Sequence, residues 1–391
     1  MKPRVYYFAP ASTDRINAAH GVQLDVPAAR NKVLGVCSAL TSAGVEAAVV
    51  TSVIPLPWHR LLSKPRTEVE KGIPLIIVPV IGSYVTKRIT AAVGLLLFTL
   101  RTVRRDDRVI FYNFYPEYIF PAFYLWLLGN PAIMDMEDGP ILQDKSLISR
   151  VTRLVYPILD KLCAKRRITV SHHLAQRLGY TEYIPVYGVA GFFDAKTSSR
   201  ERFFGEDLHV LFGGNIMAST GADLFVDTVR LLRARHPQAR LHVHVTGYYD
   251  REKMTALAEE GDGGARLKLT LHGIIAMDDY HALAGTCAVG LCLKLPSHSV
   301  GQTTFPSKVV EIAAMGMALV TMDVSDVRSI FGADGAVVLR DETPEELALR
   351  LVDLARDRDA AAALAQTGQA IVRETLSCEK VGAQLRAFLF G

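Results

Sequence analysis

What the chain's cysteines lack is pairing. Cys37, Cys163, Cys287, Cys292 and Cys378 are odd in number and show no paired spacing of the zinc-site kind, which argues for reduced structural thiols and gives no metal site. Long apolar runs are also missing. The most continuous, from Ile89 to Leu100, has twelve residues, whereas a helix needs about 20 to cross a bilayer. The opening "MKPRVYYFAPASTDRINAAH" turns polar after about ten residues. It therefore reads as a buried first strand rather than a signal peptide, and the expected location is cytoplasmic. Basic patches interleaved with aromatic residues, of the kind that grip nucleic acid, are absent. There is no short repeat and no low-complexity tract.

What is present is a large apolar content, 50% of 391 residues with 21% charged. That is more than one core usually absorbs and argues for two domains. Residues 1–190 carry 23 Lys and Arg against 14 Asp and Glu, a net +9, and the remainder carries 21 against 26, a net −5. The first half is the one expected to face an anionic partner. Its most suggestive segment is "KRITAAVGLLLFTLRTVRR", where Lys87 and Arg88 precede the apolar run and Arg101, Arg104 and Arg105 follow it. Two readings stay open: a core helix with a solvated basic end, or a helix lying on an anionic membrane surface.

Apolar β-branched runs alternate with helical segments along the whole chain. "RVYYFAP", "PAARNKVLGVCSALTSAG" and "VEAAVVTS" make a βαβ opening, followed by strand candidates "PLIIVPV", "DRVIFYNF", "PAIMDME", "RITVS" and "YIPVYG". A second series starts at "HVLFGGN" and continues through "ARLHVHVTG", "LKLTLHG", "CAVGLCLKL" and "ALVTMD". The expected fold class is α/β, with two doubly wound Rossmann-like domains facing each other across a cleft. We assign residues 1–190 to the first domain, 191–370 to the second, and 371–391 to a terminal helix returning to the first. The polar, turn-rich stretch after Phe193 is the expected linker.

Ligands of such sheets bind beyond the strand carboxyl ends, so the loops there are the place to look for chemistry. In "GGNIMASTG", Gly213 and Gly214 are expected in a turn after a strand ending at Phe212, letting backbone approach a ligand. In "GQTTFPSKVVEIAAMGMALVT", Pro306 suits the first position of a helix ending at Gly316, with Thr303, Thr304 and Ser307 around its start. Lys308 would sit in the first turn, where the helix dipole disfavours a cation unless an anion recruits both. Glu311 follows on the same face, within reach of an i,i+3 ion pair and able to receive hydroxyl groups. A nucleotide would use both residues, and a simple ion pair at the rim is the plainer reading. In the first half, "NAAHGVQLDVP" with His20 and Gly21, and "YNFYPEY" with Asn113, Tyr115 and Glu117, are candidate acceptor loops. His172 and His173 are expected to cap or pack at the end of their strand.

Taken together, "AARNKVLGVCSALTSAGVEAAVVTS", "ITVSHHLAQRL", "VLFGGNIMASTGADLFVDTVRLL" and "FPSKVVEIAAMGMALVT" resemble the GT-B glycosyltransferases, most closely glycosyltransferase family 4 and its bacterial polysaccharide relatives. The resemblance implies a nucleotide-sugar donor on the second domain, a carbohydrate or lipid-linked acceptor on the first, and retention of anomeric configuration. It also implies a role in bacterial cell-surface polysaccharide or glycolipid assembly, and the basic-flanked apolar segment would then place the protein peripherally on the inner membrane face. On that pattern Glu311 looks like the ribose-binding second glutamate of a Glu-x7-Glu signature. "LHGII", with Gly273 and Ile274, looks like the loop whose backbone reads the base.

The chain departs from that pattern at three places. Thr303 stands where the first glutamate would be, and "GGNIMASTG" offers Asn215 and Thr220 in place of an arginine and a lysine. Positive charge for the diphosphate would then come from Lys308 and Lys294, without a divalent metal or other cofactor. After "PAIMDMEDGP", Glu137 and Asp138 replace a histidine, with Gly139 behind them. Asp138 suits a general base in inverting transfer, a holder of a sugar hydroxyl in retaining transfer, or a turn former. A noncatalytic nucleotide-sugar-binding module and a nucleotide-sugar epimerase are the other readings of the same residues.

Overall fold

A computed structural model describes residues 2–20, 27–52, 65–81, 86–137, 147–190, 200–261, 264, 266–299, 301 and 303–391, without the side chains of 20, 27 and 147–153. The chain forms two compact units, Met1–Phe192 with Ser377–Gly391, and Phe193–Leu376. Most of the expected linker, 191–199, lies outside the described residues.

Among the described residues the first unit has eight strands: β1 (Arg4–Phe8), β2 (Glu46–Thr51), β3 (Arg66–Glu70), β4 (Ile73–Ile77), β5 (Arg108–Tyr112), β6 (Ile133–Met136), β7 (Arg167–Thr169) and β8 (Tyr183–Pro185). Their order is β3-β4-β2-β1-β5-β6-β7-β8. All neighbours pair in parallel except β3 with β4. The strand direction of winding changes between β1 and β5, and sheets of this kind take their ligands beyond the carboxyl ends of the strands at that point. β3 was not expected from the sequence. Its charged "RTEVE" pattern suits a sheet edge, and Lys71 and Gly72, both at positive φ (49° and 80°), form the tight hairpin turn to β4.

Helix Cys378–Phe390 is started by Ser377, whose hydroxyl accepts from the Lys380 amide. It lies against helix Pro27–Ser42 so closely that a Cβ on Gly382 would fall 1.9 Å from the Ala39 carbonyl oxygen. Only glycine permits that approach, which holds the chain terminus in the first unit.

The second unit holds β9 (Leu208–Ile216), β10 (Leu241–Tyr249), β11 (Leu267–Gly273), β12 (Val289–Cys292), β13 (Ala318–Met322) and β14 (Val337–Leu339), all parallel in the order β11-β10-β9-β12-β13-β14. Leu208, Val210 and Phe212 of β9 and Leu241, Val243 and Val245 of β10 point into one core. Their spacing follows from the two-residue period of a strand, which sends His209, Leu211, His242 and His244 to the other face. Here the switch in winding falls between β9 and β12.

Candidate functional site

β9 does not end at Phe212 as expected. It runs on through Gly213, Gly214 and Asn215 to Ile216, paired with β10 so that Gly214 stands opposite Gly247. The glycines therefore serve a close approach of two strands rather than a turn. A Cβ on Gly247 would lie 2.1 Å from the Gly214 carbonyl oxygen, and both residues have positive φ, 105° and 114°. The turn comes later, at Ala218–Thr220, where the Thr220 hydroxyl donates to the Asn215 carbonyl at 2.6 Å and accepts from the Met217 amide at 2.8 Å. Thr220 thus braces the loop, and Asn215 is exposed.

The helix expected over Pro306 to Gly316 is shorter, Lys308–Ala314, entered by a tight turn in which the Pro306 carbonyl accepts from the Val309 amide at 2.9 Å. Seven residues carry little macrodipole, so charge at this end comes from Lys308 itself. Val309, Val310, Ile312, Ala313 and Ala314 are buried. Ile312 sits on β12 where a Cβ on Gly290 would come within 2.5 Å of it. That packing leaves Lys308 and Glu311 as the helix's partly exposed groups, at 27% and 16% side-chain exposure.

Lys308 lies directly over bare backbone, its Cε 3.1 Å from where a Cβ on Gly214 would be. Its ammonium donates to the Tyr280 hydroxyl at 3.2 Å and to Glu311 Oε1 at 3.4 Å, and Tyr280 donates to the same Oε1 at 2.5 Å. Burial lowers the Lys308 pKa, but Glu311 and Tyr280 outweigh it and raise it well above the ordinary lysine value, so the ammonium stays charged. Burial, then Glu311, pushes the Tyr280 phenol up, keeping it a donor. The ion pair expected at i,i+3 is therefore real, and it is part of a triad with Tyr280. Nothing in "MDDYHALAG" singled Tyr280 out.

Around the triad, Lys294 donates to the Thr304 hydroxyl. Both Lys294 and Lys308 act electrostatically on the Cys292 thiol, which burial nonetheless holds above its ordinary pKa. The Thr303 hydroxyl donates to the Ser299 carbonyl at 3.2 Å, and Ser307 is exposed and caps nothing. At the end of β11, the Gly273 amide donates to the Tyr249 hydroxyl at 3.0 Å and its carbonyl accepts from Thr246 Oγ1 at 2.9 Å. Ile274 next to it is 65% exposed. The structure thus brings Gly213, Gly214, Lys308 and Glu311 together, with Lys294 and Thr304 as a second pair.

In the first unit the described residues hold a buried charge cluster that sequence reasoning missed. Tyr7 of β1 and Lys32 of helix Pro27–Ser42 both donate to Asp135 of β6, Lys32 at 2.9 Å, and Lys32 also donates to Glu137. Asp135 is fully buried. Burial alone would depress the Lys32 ammonium, and the two carboxylates raise it instead. Asn113, at φ +52°, donates its amide to the Asp135 carbonyl at 2.8 Å and accepts from the Glu137 amide at 2.8 Å. Glu137 and Asn113 are therefore joined at the carboxyl ends of β5 and β6, while the Tyr115 ring sits edge-on to Tyr118. Glu117 is no loop ligand: it is buried and ion-paired with Arg88 at 3.0 Å. Asp138, Gly139 and Gly21 lie outside the described residues, as does the side chain of His20, which closes helix Asp14–His20.

Residues 207–357 match the sequence model of the family described as Glycosyl transferases group 1. No curated protein sequence matches the chain. Solved structures share its fold over nearly its whole length. A sucrose-phosphate synthase from Thermosynechococcus elongatus is 13% identical, covering 99% of this chain and 98% of its own at a TM-score of 0.66. Anabaena Alr3699/HepE, in complex with UDP and glucose, is 13% identical over 99% of both chains at 0.67. An α,α-trehalose 6-phosphate synthase from Burkholderia multivorans is 12% identical, covering 100% of this chain and 96% of its own at 0.62. The two Rossmann-like units are those of the GT-B fold. Residues 207–357, most of the second unit, thus match a group 1 glycosyltransferase domain, and the whole chain shares the GT-B fold of these structures.

Proposed function

We propose that the chain moves a sugar from a nucleotide diphosphate donor to an acceptor hydroxyl, with retention at the anomeric carbon. The observation that carries this reading is Lys308 lying on the bare Gly214 backbone with Glu311 beside it. Bare backbone admits a diphosphate closely, Lys308 meets its charge, and Glu311 has a second carboxylate oxygen that accepts no hydrogen bond from the described residues and suits ribose hydroxyls. Structures sharing the fold include complexes with UDP, UDP and glucose, and UDP-glucose. Lys308 and Lys294 stabilise the departing diphosphate, so transfer itself needs no divalent metal. Thr303, Thr304, Ser307, Gly273 and Ile274 complete the donor surface. In the first unit Asn113, Tyr115, His20 and Gly21 are the proposed acceptor-binding residues. Lys32 holds Glu137 in an ion pair, which makes Glu137 a positioning group and leaves Asp138 to touch the sugar.

The acceptor is lipid-linked, and the enzyme works on the anionic inner face of a membrane. Helix Thr86–Thr102 buries Ala91, Ala92, Leu95 and Thr99 yet exposes Ile89, Val93, Leu97 and Leu100. The next helix, Ile119–Leu127, exposes Phe120, Phe123, Trp126 and Leu127. Such a stripe suits a lipid surface better than water. Arg101, Arg104 and Arg105 are exposed at its basic end, whereas Lys87 is buried and Arg88 is spent on Glu117, so the basic flank before the apolar run plays no part. A groove of about 400 Å3 beside the stripe, lined by Ile77, Pro79, Val93, Leu97, Phe98 and Arg101, suits an acyl chain. Among the described residues no helix is long and apolar enough to cross a membrane.

The test is product stereochemistry by NMR with a donor found in a thermal-shift panel of nucleotide sugars. Retained configuration is expected, with Asp138→Asn severely slowed. An inverted product with Asp138→Asn lowered about 100- to 10,000-fold would make Asp138 a general base instead. Donor binding without turnover on any lipid extract would reduce the chain to a binding module.

A further inference from the structure

We propose that His209, His242 and His244 bind a divalent transition-metal ion, Zn2+ before others, on the sheet face of the second unit opposite its core. His242 and His244 are two apart on β10, so both side chains leave the same face, and His209 of β9 stands opposite His242 in the parallel register. One ring nitrogen from each of the three lies within 4.8 Å of the others. His209 Nδ1 and His244 Nε2 are already 2.9 Å apart. Tetrahedral Zn–N bonds of about 2.0–2.1 Å set neighbouring donor nitrogens about 3.3 Å apart, so a small rotation of either ring admits the ion.

The outer partners are also in place. His244 Nδ1 is 3.0 Å from His272 Nε2, and His242 Nε2 is 2.8 Å from Thr270 Oγ1. Each thereby fixes a ring orientation, as the hydrogen-bonded partners of metal-bound imidazoles do. An all-imidazole donor set without carboxylate or thiolate suits Zn2+, Ni2+ or Cu2+ and not Mg2+ or Ca2+.

The site is not the diphosphate site. His209 is four residues before Gly213 and His244 three before Gly247, a separation of about 10–13 Å along the strands. A bound ion would clamp β9 to β10 beneath the glycines rather than take part in transfer. The inference therefore stands apart from the transferase reading.

The test uses untagged, chelator-treated full-length protein, titrated with Zn2+ by calorimetry and with Co2+ by visible absorption. One ion per chain, a tetrahedral Co2+ spectrum and a raised Tm are expected. His209→Asn and His244→Asn should abolish binding, and His272→Gln should weaken it about tenfold or more. Binding that survives in a folded His209→Asn, His244→Asn double variant overturns the proposal, as does a wild-type chain that takes up no ion. Should the variants fail to fold, X-ray absorption of the wild-type Zn2+ complex decides it: three or more imidazole ligands support the site, and fewer overturn it.

Discussion

Replacing Glu311 by glutamine separates a ribose ligand from a mere partner of Lys308. Glutamine keeps the shape and can still accept from Tyr280, which now donates to Oε1 at 2.5 Å, but it removes the charge 3.4 Å from the Lys308 ammonium. At that separation the Coulomb attraction is about 5 kcal/mol for an effective dielectric near 20. Desolvation of both groups offsets most of it, so the folding cost should be about 1–2 kcal/mol and the variant should remain folded. Binding should then split in two directions. A nucleoside diphosphate loses a charge-assisted hydrogen bond from its ribose, about 1.5–3 kcal/mol, or roughly 10- to 150-fold in Kd. Inorganic pyrophosphate has no ribose and meets a Lys308 freed of its counter-charge, so its Kd should fall. Calorimetry with UDP and with pyrophosphate on wild type, Glu311→Gln and Glu311→Ala reads both effects. UDP affinity unchanged in both variants, or UDP and pyrophosphate moving together, would refute the ribose role and leave a plain ion pair.

Replacing Arg101, Arg104 and Arg105 together by glutamine should lower partition onto anionic vesicles by about 3 kcal/mol, roughly 150-fold, and wild-type binding should release at high salt; sedimentation that ignores both would refute the membrane face. Lys32→Ala leaves fully buried Asp135 without its cation and should cost about 3–5 kcal/mol in urea unfolding; a loss below about 1 kcal/mol would mean the cluster is wetter than the structure shows. For Glu117, burial raises the carboxyl pKa against the opposing pull of Arg88. Between the unfolded and the raised folded value the native chain therefore holds more proton than the unfolded chain, so this group adds stability as pH falls from neutral through that window. Glu117→Gln should remove that increment, and equal stability slopes between pH values of about 7 and 5 in both proteins would refute it.

The alternation of strands and helices was legible because parallel strands buried on both faces read as apolar runs, and "FPSKVVEIAAMGMALVT" carried helix Lys308–Ala314 with them. Legibility failed where the cause is a contact between distant segments. β3 is a charged edge strand whose place depends on pairing with β4. Gly213 and Gly214 looked like a turn because their real constraint, the approach of Gly247, lies more than thirty residues away. Tyr280 is one tyrosine in an unremarkable helix until folding sets its hydroxyl between Lys308 and Glu311.

The acid residues of the first unit show the same limit from the other side. "PAIMDMEDGP" drew attention to Glu137 and Asp138 because they stand at a strand's end, while Asp135 inside the strand read as part of an apolar run. Folding makes Asp135 the centre, with Tyr7, Lys32 and the Asn113 amide all directed at it. Fully removed from water, Asp135 is held by an ammonium and a phenol, and the same ammonium reaches out to Glu137. A buried ion pair is a poor device for stability alone, since apolar residues of equal volume usually do as well. What it does supply is position: Lys32 and Asn113 together fix the backbone and side chain of Glu137. The cluster is thus better understood as a device that positions Glu137 than as catalytic machinery.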